Sequence, residues 1–94
     1  MMKFLNNVDL NSIKEIFGEE YIEMINENID VIDKNVKIMY ELNFDDVEGI
    51  FERCPEVFMY NPSEFETKIK DLIEKLGENY VDRIEEDISY IENL

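Results

Sequence analysis

Residues 43–77 read NFDDVEGIFERCPEVFMYNPSEFETKIKDLIEKLG, and the order of start and stop signals in them indicates the architecture of the chain. A helix is predicted to begin at position 45 or 46, because an acidic side chain there accepts hydrogen bonds from free backbone amides. Pro55 ends this helix or opens a short turn of helix. Asn61 followed by Pro62 predicts the start of a longer helix. The stretch therefore has the helix-turn-helix layout and the length of a helical repeat unit.

Similar signals occur before this stretch. A first helix is predicted to begin near Asp9 or Ser12, where Ser12 and Glu15 have the spacing of a capping box, and Gly18 predicts its end. Residues 19–42 carry apolar side chains at helical spacing, and Asn43, which tolerates the left-handed conformation, predicts their end. The sequence leaves open whether they form one helix or two, and we favour a break near residues 26–28.

Apolar positions recur at an interval of 34 residues, which links three segments of the chain. The recurring positions are Ile13, Val47 and Val81, and Ile16, Ile50 and Ile84. Ile13, Ile16 and Phe17 are expected to share one apolar helix face, and a last helix is expected to carry Val81, Ile84, Ile88 and Ile91. A second similarity relates residues 18–33 to residues 77–92. We prefer the interval of 34, which indicates tandem helical units that bury their faces on one another.

The composition fits one small all-α domain. The chain has 94 residues, 45% of them hydrophobic, with only three Gly and two Pro. A chain of this length can bury a modest core without disulfides or metal ions. We therefore predict a single acidic helical domain over residues 1–94, built from about five to six short helices.

The residues that start and end the helices of residues 42–77 follow a recognisable pattern. A leucine precedes the first helix, an Arg-Cys-Pro turn with apolar residues follows it, an Asn-Pro pair starts the second helix, and Leu-Gly closes it. These residues are Leu42, Arg53, Cys54, Pro55, Val57, Phe58, Asn61, Pro62, Leu76 and Gly77. Residues 42–77 thereby resemble one repeat of the mitochondrial transcription termination factor (mTERF) type. The resemblance implies three-helix repeats stacked into a curved solenoid fragment, whose concave face in that family is commonly basic and grips nucleic acid.

The charge argues against direct nucleic-acid binding. Nine basic and 24 acidic residues give a formal net charge of −15. A surface of this kind repels phosphates and attracts basic proteins, most strongly at low salt. An acidic bias of the whole proteome is an equally open explanation of the composition.

Several kinds of chemistry have no support in the sequence. The chain has no histidine, so a Cys-His nucleophile pair is impossible, and its one cysteine, Cys54, allows no intramolecular disulfide and indicates a reducing compartment. Neither an EF-hand pattern nor a Gly-rich phosphate loop occurs. The N-terminal stretch does not read as a signal peptide, and no apolar run is long enough for a membrane span. We predict a cytoplasmic protein without cofactor, catalytic residues or metal site.

The aromatic residues around the turn have two interpretations. Phe51, Phe58, Tyr60 and Phe65, with Met59 beside them, form either the core where three helices meet or a partner-binding patch. We favour the core.

The leading functional hypothesis is a non-enzymatic interaction module that presents acidic helix faces to a basic protein. Its sharpest form is a nucleic-acid mimic, an inhibitor of the phage type that occupies the nucleic-acid site of its partner. The expected contacts form carboxylate rows at roughly phosphate-like spacing and are Glu19, Glu20, Glu23, Glu27, Asp30, Glu78, Asp82, Glu85, Glu86 and Asp87.

Three alternatives stay open. The first is an mTERF-like, nucleic-acid-associated regulatory protein with a local basic strip. The second is an enzyme with convergent carboxylates. The third is a homodimer that buries an apolar face left by an incomplete repeat array.

Overall fold

The structure is a computed structural model that describes residues 10–94, which form helices and turns and contain no strand. The helices of this part of the chain are α1 (Leu10–Phe17), α2 (Glu19–Glu27), α3 (Ile29–Glu41), α4 (Val47–Arg53), a 3-10 helix (Pro55–Met59), α5 (Pro62–Leu76), α6 (Tyr80–Glu86) and α7 (Ser89–Glu92). The all-α prediction is confirmed.

The described residues contain seven α-helices, so the predicted number of about five to six was too low. The last predicted helix is in fact two helices, because the backbone is extended at Asp87, with φ −134° and ψ 93°. Oδ1 of Asp87 accepts hydrogen bonds from the backbone amide of Ser89 at 3.1 Å and from its hydroxyl at 2.6 Å. A carboxylate that bonds the backbone two residues on favours a turn over a continuous helix.

Two helix ends follow the predicted stop signals. Gly18 follows α1 with φ +97°, and Asn43 follows α3 with φ +69°. Both conformations lie in the left-handed region, which glycine adopts without steric cost and asparagine tolerates better than most residues.

The predicted break in residues 19–42 is confirmed. Asn28 separates α2 from α3, and its Nδ2 atom donates to the Met24 carbonyl oxygen at 2.8 Å. The Asn28 backbone amide donates to the same oxygen at 3.0 Å, so the side chain and the backbone of Asn28 both bond the last turn of α2.

The predicted helix starts are confirmed in part. Asp46 precedes α4 and accepts from the Gly49 amide at 3.1 Å, and Asn61 precedes α5 and accepts from the Ser63 amide at 3.0 Å. α1 begins at Leu10 at the latest, so Ser12 lies inside this helix and the predicted start at Ser12 was wrong. Asp9, the other predicted start, lies outside the described residues.

The aromatic residues around the turn pack as a core. Phe51, Phe58 and Phe65 are completely buried, and the Phe58 ring lies 5.4 Å from that of Phe51 and 5.7 Å from that of Phe65, between centroids. Tyr60 and Met59 pack against this core and are partly buried. The interpretation of this set as core is confirmed.

One position of the predicted apolar face on α1 was wrong. Ile13 is completely buried and Phe17 is partly buried, but Ile16 is 71% exposed. Ile13 and Phe17 are four residues apart and lie on one helix face, whereas Ile16 lies at the edge of that face.

The helices pack against one another in three groups. α3 packs against α5 and the 3-10 helix, α1 packs against α2 and α4, and α6 packs against α5 and α7. None of the helices in residues 10–94 has both the length and the apolar character that crossing a membrane requires.

Candidate protein-interaction surface

The carboxylates of the first predicted acidic stretch are exposed. The five carboxylates are Glu19, Glu20, Glu23, Glu27 and Asp30. We call these residues the α2–α3 acidic row, because four lie on α2 and the fifth lies in the first turn of α3.

Little within the described chain neutralises this row. Lys14 pairs with Glu19 at 3.0 Å, and both side chains are more than half exposed. The other four members form no ion pair within residues 10–94. No Lys or Arg occurs between Lys14 and Lys34 in the sequence. The row therefore faces solvent with most of its negative charge unpaired.

The second predicted stretch is less uniform. Glu78, Asp82, Glu86 and Asp87 are exposed, whereas Glu85 is partly buried. The Asp87 carboxylate accepts hydrogen bonds from the amide and the hydroxyl of Ser89, and these bonds lower the pKa of its carboxyl. We call this set the α6 acidic group.

Glu85 points toward the start of α4. Its Oε2 atom is buried without a hydrogen-bond partner in the described part of the chain. Burial raises the pKa of its carboxyl, a hydrogen bond from the Asp46 backbone lowers it, and the Asp45, Asp46 and Asp82 carboxylates raise it further. The charged groups that act on Glu85 are all carboxylates, and these like charges oppose its ionisation.

The two acidic stretches lie on differently packed helices. α2 packs against α1 and α3, whereas α6 packs against α5 and α7. The structure brings Glu85 to the residues before α4, an association that sequence reasoning missed. Runs of acidic residues at 45–46 and 82–87 are visible in the sequence, but only tertiary packing brings them together.

An open groove of about 520 Å³ lies between α1, α4 and α7. α1 contributes Ser12, Ile16 and Phe17, and α4 contributes Gly49, Glu52 and Arg53. Glu92 of α7 and Ile88, which precedes α7, complete the described lining. We call this feature the Ile16 groove, because Ile16 is its most exposed apolar side chain. Sequence reasoning placed Ile16 in the core and so missed the groove.

Cys54 is a poor nucleophile in this structure. Its side chain is buried, and its thiol lies 3.2 Å from the Ile50 carbonyl oxygen, to which it donates. Burial raises the pKa of the thiol to about 12, Glu92 and Glu56 raise it too, and Arg53 lowers it. The thiolate is the reactive form, so these surroundings suppress its chemistry.

The basic residues of the described chain are dispersed. Lys37 pairs with Asp33 and Lys70 pairs with Glu66, each within one helix. Lys68 donates to the Leu94 carbonyl oxygen and lies over the Tyr60 ring. These pairings within the chain reduce the cationic surface available to phosphates.

Residues 10–94 contain no group of three or more His, Cys, Asp or Glu side chains arranged to hold a metal ion.

Comparison with known proteins gives no relative, since the chain matches no protein family model, no curated protein and no solved structure.

Proposed function

We propose that this protein is a non-enzymatic interaction module that binds a basic protein through the α2–α3 acidic row. The observation that carries the proposal is the exposure of all five carboxylates of the row with a single ion pair among them. Exposed charges of one sign steer an oppositely charged partner and raise its association rate. The α6 acidic group offers a second contact region with fewer free carboxylates.

The charge density of α2 supports the sharper proposal of a nucleic-acid mimic. The helix has nine residues, four of which are glutamates. At about 1.5 Å per residue, this is about one negative charge per 3.4 Å of helix axis. One strand of a DNA duplex carries about one charge per 3.4 Å. A groove that accepts a phosphate strand therefore meets a similar linear charge on this helix.

We also propose that the helices form mTERF-like repeat units. Their order supports this, because α1, α2 and α3 have 8, 9 and 13 residues, and α4, the 3-10 helix and α5 have 7, 5 and 15. Asn43 and Gly77 have equivalent positions at an interval of 34 residues, and both have positive φ. The exposed Ile16 and the nine-residue α2 are departures from strict repetition.

A nucleic-acid-associated role is the weaker alternative. It requires a continuous basic strip, and the lysines at positions 14, 37 and 70 are each paired with a carboxylate. We therefore prefer a protein partner.

The test is affinity capture from lysate at low salt, followed by elution with rising salt and then with duplex DNA. Two triple variants remove the same amount of charge at different places: Glu20→Gln, Glu23→Gln and Glu27→Gln on α2, and Glu64→Gln, Asp71→Asn and Glu74→Gln on α5. All six side chains are exposed. We expect the wild type and the α5 variant to capture a basic nucleic-acid-binding protein that salt and DNA release. The α2 variant should lose it.

Equal losses in the two variants would mean that bulk charge alone drives capture, and no loss in either would reject the row as the contact site. Capture of nucleic acid itself would favour the mTERF-like alternative.

A further inference from the structure

The Ile16 groove has the layout of a docking site for an elongated partner segment. Residues of α1, of α4 and of the chain at α7 line it, and each region includes two residues four positions apart. Gly49 contributes no side chain, and the Asp46 carboxylate fills the space that its Cβ would take. Partner helices and extended segments commonly bind in such grooves by inserting side chains at regular spacing.

The groove leaves apolar surface in water. Ile16 is 71% exposed, although most other large apolar side chains of residues 10–94 are buried or partly buried. Phe17 and Ile88 line the same groove and are partly buried, so Ile16 belongs to a contiguous apolar surface. A single exposed apolar residue needs no explanation, but a contiguous apolar surface within a groove indicates a binding site.

The charged residues at the groove indicate which sign of charge the partner carries. Glu52 and Glu92 line the groove, and among residues 10–94 Arg53 is its one cationic lining residue. The apolar surface is thus bordered by more carboxylates than cations.

We infer that the Ile16 groove docks a segment of a basic protein that presents an apolar side chain flanked by Lys or Arg side chains. The apolar side chain covers Ile16, and the cations reach Glu52 and Glu92. The inference rests on the proposed function and adds an apolar anchor to it. A second copy of this chain fits less well, because its net charge of −15 would bring carboxylates against carboxylates.

The probe is a fluorescein-labelled peptide of about 18 residues, or five helical turns, that contains only Leu and Lys with the leucines on one helix face. A peptide of identical composition with its leucines dispersed around the helix is the matched control. Fluorescence anisotropy with the full chain gives both dissociation constants, and repeating the titration at about 0.5 M salt screens the charge contribution.

Three variants test the groove. Ile16→Ser removes the apolar anchor, and Met24→Ser alters another exposed apolar side chain, on α2, as the matched control. Arg53→Gln removes the cation that repels the probe, and circular dichroism of this variant checks that it keeps its helical fold. We expect the one-faced peptide to bind about tenfold tighter than the dispersed peptide. Ile16→Ser should abolish this difference, Met24→Ser should leave it unchanged, and Arg53→Gln should increase affinity severalfold at low salt.

Equal binding of the two peptides, or an Ile16→Ser protein that binds like the wild type, would overturn the inference. Such a result leaves the proposed function standing if the α2 triple variant still loses its partner. Conversely, the groove stands and the acidic row falls if only Ile16→Ser is impaired in both assays. Dimers in sedimentation equilibrium that Ile16→Ser dissociates would assign the groove to a second copy and so refute this inference.

Discussion

The side chain of Asn35 connects α3 to the end of the 3-10 helix, and its removal should destabilise the fold measurably. Asn35 is completely buried. Its Nδ2 atom donates to the carbonyl oxygens of Phe58 and Tyr60, at 2.8 Å in each case. Its Oδ1 atom is buried and has no partner within residues 10–94. The substitution Asn35→Ala removes two hydrogen bonds and one unpaired acceptor.

The expected loss follows from these three contributions. A buried acceptor left without a donor costs roughly 1–3 kcal/mol. We assign about 2 kcal/mol to the buried carbonyl of Phe58 and about 1 kcal/mol to the partly buried carbonyl of Tyr60. Removal of the buried, unpaired Oδ1 atom stabilises the folded state by about 1 kcal/mol, because its desolvation cost is lost. The free energy of unfolding should therefore fall by about 2 kcal/mol, which lowers the Tm of a domain of this size by about 10 °C.

Asn35→Asp makes the test specific. At neutral pH its carboxylate has no proton to donate and faces two carbonyl oxygens, so this variant should be less stable than Asn35→Ala. The pKa of the new carboxyl is raised by burial. Its stability should therefore improve as the pH falls and the protonated carboxyl donates one hydrogen bond.

Urea and thermal unfolding followed by circular dichroism measure these effects, with Asn26→Ala as the control because Asn26 is exposed on α2. We expect the control to lie within about 0.5 kcal/mol of the wild type. The reasoning is refuted if Asn35→Ala lies in the same range, or if Asn35→Asp matches Asn35→Ala at every pH.

Three further predictions concern single side chains. Glu85→Gln should raise the Tm at neutral pH, because the folded state raises the pKa of this carboxyl and so resists its ionisation. The gain is full above the folded pKa and disappears below the ordinary value of 4.5, as Tm measurements across this pH range would show. Cys54 should react with an aromatic disulfide reagent about a thousandfold more slowly in the folded chain than in urea, since its pKa rises from 9.0 to about 12. Asn61→Ala removes the bond to the Ser63 amide and should cost about 1 kcal/mol in urea unfolding.

Local signals account for the parts of the fold that the sequence predicted correctly. Gly18, Asn43 and the Asn61-Pro62 pair act through backbone conformation and capping within a few residues of their own position. These effects need no knowledge of the tertiary structure. The same reasoning failed at Asp87, where a hydrogen bond to Ser89 outweighed an apolar spacing that fits one helix.

Tertiary placement was beyond this reasoning. The apolar residue at position 16 matches Ile50 and Ile84 at the interval of 34, yet only the latter two are buried. Short helices with a broad apolar face do not specify from sequence which edge of that face meets a neighbour. For the same reason, the approach of Glu85 to Asp46 was not predictable, although both belong to visible acidic runs.

The α2–α3 acidic row itself was predictable, because charged residues opposite an apolar helix stripe are expected to face solvent. The α6 acidic group was predicted on the same grounds, and there the buried side of Glu85 is the exception. Which of these carboxylates contact a partner stays a prediction.

The central claim is that binding of the partner depends on where the negative charges lie, and not on the total net charge. It is tested most directly by the dissociation constant of the captured basic protein for the wild type, the α2 triple variant and the α5 triple variant over a salt series. Each triple variant has a net charge of −12, three less negative than the wild type at −15. We predict wild-type affinity and salt slope for the α5 variant, and a weaker affinity with a smaller slope for the α2 variant. Identical curves for the two variants would contradict the account.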